Sequence, residues 1–228
     1  MKELVLRHET KHDITYSEFM AVKSRLLAVA KRDPNVGETG LYQIRSLYFD
    51  NYNDKALREK LDGVNIRHKF RIRYYNNDPS MIKLEKKSKI NGLCNKQSAS
   101  ITKEQVESII AGDYEFLKDS KNALMVELYA KMSSQMLRPR VIVDYTREPF
   151  VYETGNVRIT FDTNIRSGLY SKDFFRTDVP EIRATTLEGV LMEVKYDEFL
   201  PEIISMCIQV NERSGQAFSK YATCRRFG

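Results

Sequence analysis

The sequence predicts an α+β fold in which strands form a closed antiparallel barrel with a polar interior and helices cover its outside. Three observations lead to this prediction. One strand alternates cationic and apolar residues, several other strands repeat the alternation, and helical segments lie between the strands. Helices can cover the apolar faces of such strands, whereas the charged faces then converge on a shared interior. Closing the sheet also removes exposed strand edges.

The cationic strand lies at residues 66–74 and has the sequence Ile-Arg-His-Lys-Phe-Arg-Ile-Arg-Tyr. Successive side chains of a β-strand point to opposite faces. One face of this strand therefore carries only cations, namely Arg67, Lys69, Arg71 and Arg73. Adjacent charges on that face repel by roughly 2 kcal/mol at an effective dielectric of about 20. A partly dehydrated face with this charge indicates a polyanionic ligand.

Five further segments alternate charged and apolar residues in the same way. They lie at residues 6–11, 82–87, 143–147, 157–162 and 192–196. Their charged positions include carboxylates as well as cations, namely Glu9, Glu85, Asp162 and Glu193. One such segment alone is typical of a half-buried strand with one solvated face. Six together favour a barrel with a polar lumen.

The remaining pattern gives about eight strands and five helices. The first predicted strand ends near Lys11. The others cover residues 42–50, 66–74, 81–101 (a hairpin turning at Asn91-Gly92), 139–147, 150–152, 157–162 and 190–196. The predicted helices are one capped by Ser17, those at residues 53–61, 102–112 and 121–136, and one that starts at Pro201 and runs through Val210. Ser, Thr and Pro at these starts, and Gly at the ends, are common helix boundary signals.

Composition limits the class of protein. No linker or repeat interrupts the 228 residues, so residues 1–228 are predicted to form a single domain. Lys and Arg number 37 against 31 Asp and Glu, and the net charge of +6 favours anionic partners. No apolar run approaches the ~18 residues of a membrane span, and Met1-Lys2-Glu3 does not open a signal peptide. Three widely spaced cysteines favour a cytoplasmic location.

A series of short motifs, in order along nearly the whole chain, resembles a known family. The motifs are Arg7-x-Glu9-x-Lys11, Ser46-Leu47-Tyr48-Phe49-Asp50, Lys69-x-Arg71-x-Arg73-Tyr74, Leu84-Glu85-x-Lys87, Asn91-Gly92-x-x-x-Lys96, Tyr145-x-Arg147, Arg158-x-Thr160-x-Asp162, Glu193-Val194-Lys195-Tyr196, Leu200-Pro201 and Phe218-Ser219-Lys220-Tyr221. The series is similar to the VTC domain, the polyphosphate-polymerase branch of the triphosphate tunnel metalloenzyme superfamily. The resemblance implies an eight-stranded antiparallel tunnel barrel lined by Lys, Arg and Glu.

The resemblance also implies an activity and its residues. In the polymerase branch, the tunnel takes the γ-phosphate of ATP with a divalent metal, Mn²⁺ in preference to Mg²⁺, and extends an inorganic polyphosphate chain. Matching positions give catalytic roles to Arg71, Arg73, Lys87, Arg158 and Glu193. Phosphate or nucleotide contacts fall on Lys11, Lys69, Arg71, Arg73, Lys87, Lys96, Arg147, Arg158 and Lys220. Glu193 matches the metal-holding position, with Glu9, Glu85 and Asp162 as either second ligands or members of a salt-bridge network.

These residue types suit phosphoryl transfer, which requires positioning and electrostatic stabilisation rather than covalent catalysis. Arginines such as Arg71 and Arg73 grip phosphate oxygens with two parallel hydrogen bonds, whereas lysines act as mobile point charges. The nucleophile, an orthophosphate or the end of a polyphosphate chain, is already anionic. The lack of a persuasive His or Cys base is therefore consistent with transfer to phosphate. Arg67 and Lys69 have a second interpretation, as residues of the tunnel mouth.

The sequence departs from the family pattern at two positions. Other branches of the superfamily begin with Glu-x-Glu-x-Lys, but Arg7 replaces the first acid, which argues against a two-metal hydrolase of that type. The eukaryotic polymerases carry an additional Lys where this chain has Ala217, so binding of the chain end is expected to differ. The phosphate-sensing domain and membrane segments of the eukaryotic proteins are absent. Any export is therefore expected to need a membrane-protein partner supplied by another chain.

Four alternatives to a polymerase are considered, and nucleic-acid binding is the one argued against. A triphosphatase would use water as the nucleophile on the same barrel, and a non-catalytic module would bind polyphosphate, nucleotide or inositol phosphates without turnover. Nucleic-acid binding is not expected, because the interleaved carboxylates would repel a phosphate backbone and no recognised binding motif is present. A structural protein with merely solvated cationic strands is the last alternative.

Overall fold

An antiparallel β barrel forms the centre of the computed structural model, which describes residues 6–37, 39–168, 172–185, 189–210 and 218–227. The strands are β1 (His8–Ile14), β2 (Lys31–Arg32), β3 (Tyr42–Asp50), β4 (Ile66–Tyr75), β5 (Asp78–Ile90), β6 (Leu93–Ile101), β7 (Arg138–Tyr152), β8 (Val157–Ser167), β9 (Ile182–Arg183) and β10 (Val190–Tyr196). The helices are α1 (Tyr16–Val29), α2 (Lys55–Leu61), α3 (Lys103–Ala111), α4 (Ala123–Gln135), α5 (Glu202–Ile208) and α6 (Lys220–Cys224). Short 3₁₀ turns occur at Glu115–Leu117, Thr154–Asn156 and Arg225–Phe227.

Eight long strands follow one another around the barrel in the order β1-β10-β8-β7-β3-β4-β5-β6. Every neighbouring pair is antiparallel, and the two-residue strands β2 and β9 pair with β7 and β8. The two ends of the sheet meet where Arg7 and Cys94 exchange backbone hydrogen bonds of 3.0 Å each. The predicted α+β class and antiparallel tunnel barrel are confirmed.

Strand alternation decides which side chains enter the barrel. On β4, Arg71 and Arg73 line the interior, whereas Phe70, Ile72 and Tyr74 belong to an apolar cluster that includes buried residues of α3 and α4. A second apolar cluster joins α1 and α5 to the outward faces of β8 and β10. The helices therefore cover the apolar faces of the strands, as the sequence pattern predicts.

A third apolar cluster lies inside the barrel and surrounds α6. Tyr221 and Cys224 pack against Ile44 and Val143, which share the inward faces of β3 and β7. The hydroxyl of Tyr221 donates a 2.5 Å hydrogen bond to Asp50 at the end of β3. The helix α6 therefore fills part of the barrel interior. Ser219, the residue that caps this helix, lies at the remaining cavity.

Two local predictions are wrong. The residue that caps α1 is Thr15, not Ser17, because Thr15 and Glu18 form a reciprocal capping box. The strand predicted to break between residues 147 and 150 is continuous in β7. Pro149 lies beside the end of β2, where its carbonyl accepts a 3.4 Å hydrogen bond from the backbone N–H of Asp33. Its missing N–H therefore removes only the return bond at the end of this two-residue strand.

The C-terminal part of the chain also differs from the prediction. The helix predicted through Val210 ends at Ile208 in α5, and α6 follows residues 211–217, which lie outside the described part of the chain. Among the helices that the structure describes, none combines the length and the apolar character needed to cross a membrane.

Candidate active site

The barrel encloses a cavity of about 400 Å³, named the main chamber. Within the described residues, cations outnumber carboxylates on its wall by far. The cations are Arg7, Lys11, Lys69, Arg71, Arg73, Lys87, Lys96, Arg147, Arg158, Lys195 and Lys220. The carboxylates are Glu9 and Glu193. A wall with this surplus of positive charge is complementary to a compact polyanion.

Two further carboxylates, Glu85 and Asp162, lie behind the cations and not on the chamber wall. Glu85 accepts hydrogen bonds from Arg71 Nε at 2.7 Å and from Lys96 Nζ at 3.0 Å. Asp162 accepts two bonds from Arg147, at 2.6 and 2.7 Å, and also binds Lys220. Burial opposes ionisation of both carboxyl groups, but the adjacent cations outweigh it and hold both pKa values below their usual range. Both carboxylates therefore act as fixed counter-charges that orient the cations in front of them.

Glu9 and Glu193 face the chamber from the neighbouring strands β1 and β10. Glu9 pairs with Lys11 and Lys87 at 2.8 Å each, and Glu193 pairs with Lys195 and, at 3.7 Å, with Lys11. Burial opposes their ionisation as well, but the lysines lower both pKa values. Two ionised carboxylates, each within reach of several ammonium groups, therefore line the interior at neutral pH.

Two lysines of the chamber have pKa values that are lowered towards neutral pH. Burial, followed by repulsion from Lys11 and Lys60, lowers the pKa of Lys69 to about 7. Burial also lowers the pKa of Lys195 to about 8, against the attraction of Glu193. A bound phosphate would favour the charged form of both amines, so their electrostatics fit an anion that is brought in from solution.

Tyrosine hydroxyls hold the central arginines in place. Arg71 Nη1 donates to Tyr48 at 2.9 Å, and Arg73 Nη2 donates to Tyr145 at 2.7 Å. Arg73 Nε also donates to the hydroxyl of Ser46 at 3.1 Å, whereas Glu85 is 4.0 Å from Arg73. Arg73 is thus oriented mainly by neutral groups, which leaves its positive charge largely uncompensated.

Two further contacts fix the rim of the chamber. Arg158 Nη2 donates to Tyr42 at 2.7 Å and pairs with Asp33 at 2.6 Å. At the start of α6, Ser219 accepts a 2.9 Å hydrogen bond from Lys69. The C-terminal segment therefore contributes directly to the geometry of the chamber.

The two carboxylates that face the chamber suit a divalent cation. In the described residues, no group of three or more His, Cys, Asp or Glu side chains converges on one point. Mg²⁺ and similar ions are commonly held by one or two carboxylates, with phosphate oxygens and water in the remaining positions. Glu193, with Glu9 on the adjacent strand, offers this kind of donor set.

The structure brings together most of the residues that the sequence singles out. All nine predicted phosphate-binding residues and Glu193 line the main chamber, whereas Glu85 and Asp162 occupy the network position and not a ligand position. Ala217, at which a difference in chain-end binding is expected, lies outside the described residues. No role was predicted for Lys195 or for the tyrosines that line the chamber. The two-residue spacing of Tyr145 from Arg147 is the signal that places both on one strand face.

The carboxylate network predicts a loss of stability in acid. Glu9, Glu85, Asp162 and Glu193 all have pKa values lowered by folding. Their stabilisation is complete above the ordinary carboxyl pKa of about 4 and is lost as the pH falls towards the folded-state values. We expect the contribution of these four carboxylates to the urea midpoint to be constant above about pH 5 and to decrease steeply below about pH 4. An unchanged midpoint at pH 3 would show that these pairs do not stabilise the fold.

The barrel and its cationic chamber define a protein of the antiparallel tunnel fold. The model of one protein family, the VTC domain, matches residues 6–227, and the chain therefore belongs to the VTC domain family.

Several solved structures are similar to the chain at low sequence identity. A Bacillus halodurans protein provisionally described as an adenylate cyclase has a TM-score of 0.51 and 14% identity, over 90% of this chain and 86% of that chain. The capping enzyme triphosphatase of Mimivirus has a TM-score of 0.42 and 11% identity, over 92% of each chain. The PH1819 protein of Pyrococcus horikoshii OT3 has a TM-score of 0.42 and 11% identity, over 89% and 84%. No curated protein sequence matches the chain.

Proposed function

We propose that the protein is an ATP-dependent polyphosphate polymerase, which transfers the γ-phosphate of ATP to a growing inorganic polyphosphate chain. One observation carries the proposal: the main chamber presents many oriented cations and only two carboxylates among its described lining residues. ATP and polyphosphate are polyanions that match such a surplus. The buried carboxylates behind the wall keep the cations in place without neutralising the cavity itself.

The arginines of β4 supply the central electrostatic contribution. Charge in a phosphoryl-transfer transition state spreads over the equatorial oxygens of the transferred group. Arg71 and Arg73 are preoriented by Glu85 and by hydroxyl groups, so they need little rearrangement to donate to those oxygens. Arg158 and Lys87 lie on other strands and supply further charges around the same cavity.

The proposed step uses the phosphate chain itself as the nucleophile. A terminal oxygen of the acceptor forms a bond to the γ-phosphorus, and the β–γ bridging oxygen leaves with its electron pair as part of ADP. The acceptor oxygen is anionic, so the chamber need not supply a strong base. Burial, followed by the charge of Glu9, raises the pKa of the Cys94 thiol, and His8 is stacked on Tyr196. Neither side chain is placed as an activated nucleophile.

Divalent metals are used across the superfamily, and we expect Mn²⁺ first and Mg²⁺ second. Glu193 would hold the ion, with Glu9 as a second ligand. Glu85 and Asp162 would stay paired with the side chains of Lys96 and Arg147. A bound ion would neutralise negative charge that develops on the phosphate during transfer. The cytoplasmic location and the membrane-protein partner stay predictions.

Acceptor dependence tests the proposal. The purified protein is incubated with ATP and Mn²⁺, and in parallel with Mg²⁺, while ADP release is recorded at increasing concentrations of a short polyphosphate. A polymerase uses the added chain as a substrate, so ADP release should increase with its concentration and saturate.

Other outcomes would favour the alternatives. A triphosphatase uses water, so short polyphosphate should compete with ATP and inhibit ADP release. Binding of polyphosphate without ADP release under either metal would indicate the non-catalytic module. Displacement of bound polyphosphate by an equal phosphate concentration of DNA would instead support nucleic-acid binding.

A further inference from the structure

A cavity on the outer side of the barrel wall, named the outer pocket, has a volume of about 540 Å³. It lies where the ends of the helices α3 and α4 meet the start of β7, and residues 109–112 and 136–140 contribute to its lining. The outer pocket and the main chamber share no described lining residue. The outer pocket is therefore separate from the candidate active site.

The floor of the outer pocket is apolar. Leu47, Ile109 and Met132 are each no more than 5% exposed, and they belong to the apolar cluster that joins the strands to α3 and α4. Ile110 and Leu137 are partly buried and pack against the same cluster. Cavities of several hundred Å³ with an apolar lining are typical of sites that hold the apolar body of a small molecule.

Met136 forms the lip of the outer pocket in a strained conformation. It ends α4 with a φ of 53°, in the left-handed region, and it is 66% exposed. In that region the Cβ of a residue other than Gly crowds the backbone, and helices usually end there with Gly or Asn. A long, flexible, apolar side chain is therefore presented beside the pocket, at a position where Gly would give a more stable helix end.

Three cations border the apolar floor. They are Arg138, Arg140 and Lys172, and none of the described lining residues is a carboxylate. Arg138 and Arg140 are two residues apart on β7, so they lie on one face of the strand, about 7 Å apart. Arg140 Nε is 3.5 Å from Asp54, but Asp54 also accepts a 2.8 Å hydrogen bond from Arg225. One carboxylate thus serves two guanidinium groups, and the outer pocket keeps a net positive charge.

We propose that the outer pocket binds a single-chain anionic amphiphile, whose alkyl chain covers the apolar floor while its carboxylate or phosphate head group meets Arg138, Arg140 and Lys172. A wholly apolar ligand would leave the cations without an anionic partner, and an inorganic anion would leave the apolar floor in contact with water. The floor is concave and therefore admits one chain from solution, whereas docking on a bilayer needs apolar side chains that project from the protein. The proposal is independent of the polymerase reaction.

Decanoate below its critical micelle concentration is the probe, and titration calorimetry with the full chain measures its binding. Wild-type protein should bind decanoate at least about tenfold more tightly than decanol, because only the anion pairs with the three cations. Acetate has the same head group without the chain and should not displace decanoate. Decanol that binds as tightly as decanoate would overturn the recognition of an anionic head group.

Two variants separate the head group from the chain. Lys172→Glu reverses an exposed charge at the pocket, so the affinity for decanoate should fall by about tenfold while the affinity for decanol stays unchanged. Met136→Gly relieves the strained helix end, so the melting temperature should rise. The same variant removes apolar contact area, so the affinities for decanoate and decanol should both fall by about threefold. Higher stability with weaker binding is a combination that a merely structural methionine would not produce.

The matched controls change the same residue types elsewhere. Lys118→Glu and Met206→Ala alter exposed residues that line neither the outer pocket nor the main chamber, and they should leave the affinity for decanoate unchanged. Decanoate affinity that is the same in wild type, Lys172→Glu and Met136→Gly would overturn the location of the site. Cosedimentation with vesicles of phosphatidylcholine and phosphatidylglycerol should be absent. Binding to these vesicles without binding of free decanoate would overturn the pocket ligand in favour of a membrane-facing surface.

Discussion

Arg73→Ala is expected to lower kcat for ATP turnover by about 10³-fold while the protein stays folded. Arg73 is buried in the chamber wall, and its hydrogen bonds go to the hydroxyls of Ser46 and Tyr145. Its removal leaves no carboxylate unpaired, since Glu85 keeps Arg71 and Lys96. The substitution should therefore raise the activation free energy of the reaction and leave the free energy of unfolding unchanged.

Steady-state kinetics with varied ATP, together with thermal unfolding, measures this effect. Arg73→Lys retains the charge but loses the planar fork, so its kcat should lie between those of wild type and Arg73→Ala. The matched control is Arg138→Ala on the exposed start of β7, where the side chain contacts Tyr52 and no chamber residue. If the kcat of Arg73→Ala were within about tenfold of the wild-type value, this arginine would not stabilise the transition state as proposed.

Asp162→Asn is expected to destabilise the fold by about 3–5 kcal/mol, the largest stability effect that we predict. Asp162 is fully buried and neutralises both Arg147 and Lys220. The substitution removes the negative charge and leaves two buried cations without their common partner. Such uncompensated burial of charge costs more than the intact pair contributes.

Urea denaturation of the wild type and four variants separates this network from a general packing defect. The double variant Asp162→Asn/Arg147→Gln should be less destabilised than the sum of the two single variants, because one of the stranded cations is gone. Glu153→Gln, which breaks an exposed pair with Lys31, should give no resolvable change. Strict additivity of the two buried substitutions would contradict the proposed coupling.

Strand alternation predicted the inner face of the barrel because it is a local property of the chain. The spacing of Arg71 and Arg73 places both on one face of β4 whatever strand lies beside it. The same reasoning places Glu193 and Lys195 together on β10. The start of α3 at Thr102 was predictable because a capping box depends on residues three apart, whereas the same motif at Thr15 and Glu18 was overlooked in favour of Ser17.

The salt-bridge partner of each carboxylate was not predictable from the sequence, since it depends on the order of the strands in the sheet. Glu85 binds residues of its two sheet neighbours, but Glu9 reaches Lys87 across the seam between β1 and β6. No short-range pattern distinguishes a carboxylate on the chamber wall from one behind it. The insertion of α6 into the barrel has the same origin, because the pairing of Tyr221 with Asp50 joins residues far apart in sequence.

The most direct test of the central claim follows ³²P from the γ-position of ATP, with wild type and Glu193→Gln analysed in parallel. Chains, orthophosphate and ADP are separated and quantified at each time. The account predicts that the label enters long polyphosphate in an amount equal to the ADP formed, and that Glu193→Gln abolishes both. Label recovered only as orthophosphate in proportion to ADP would contradict polymerisation, and unchanged chain synthesis by Glu193→Gln would contradict the role of the chamber carboxylate.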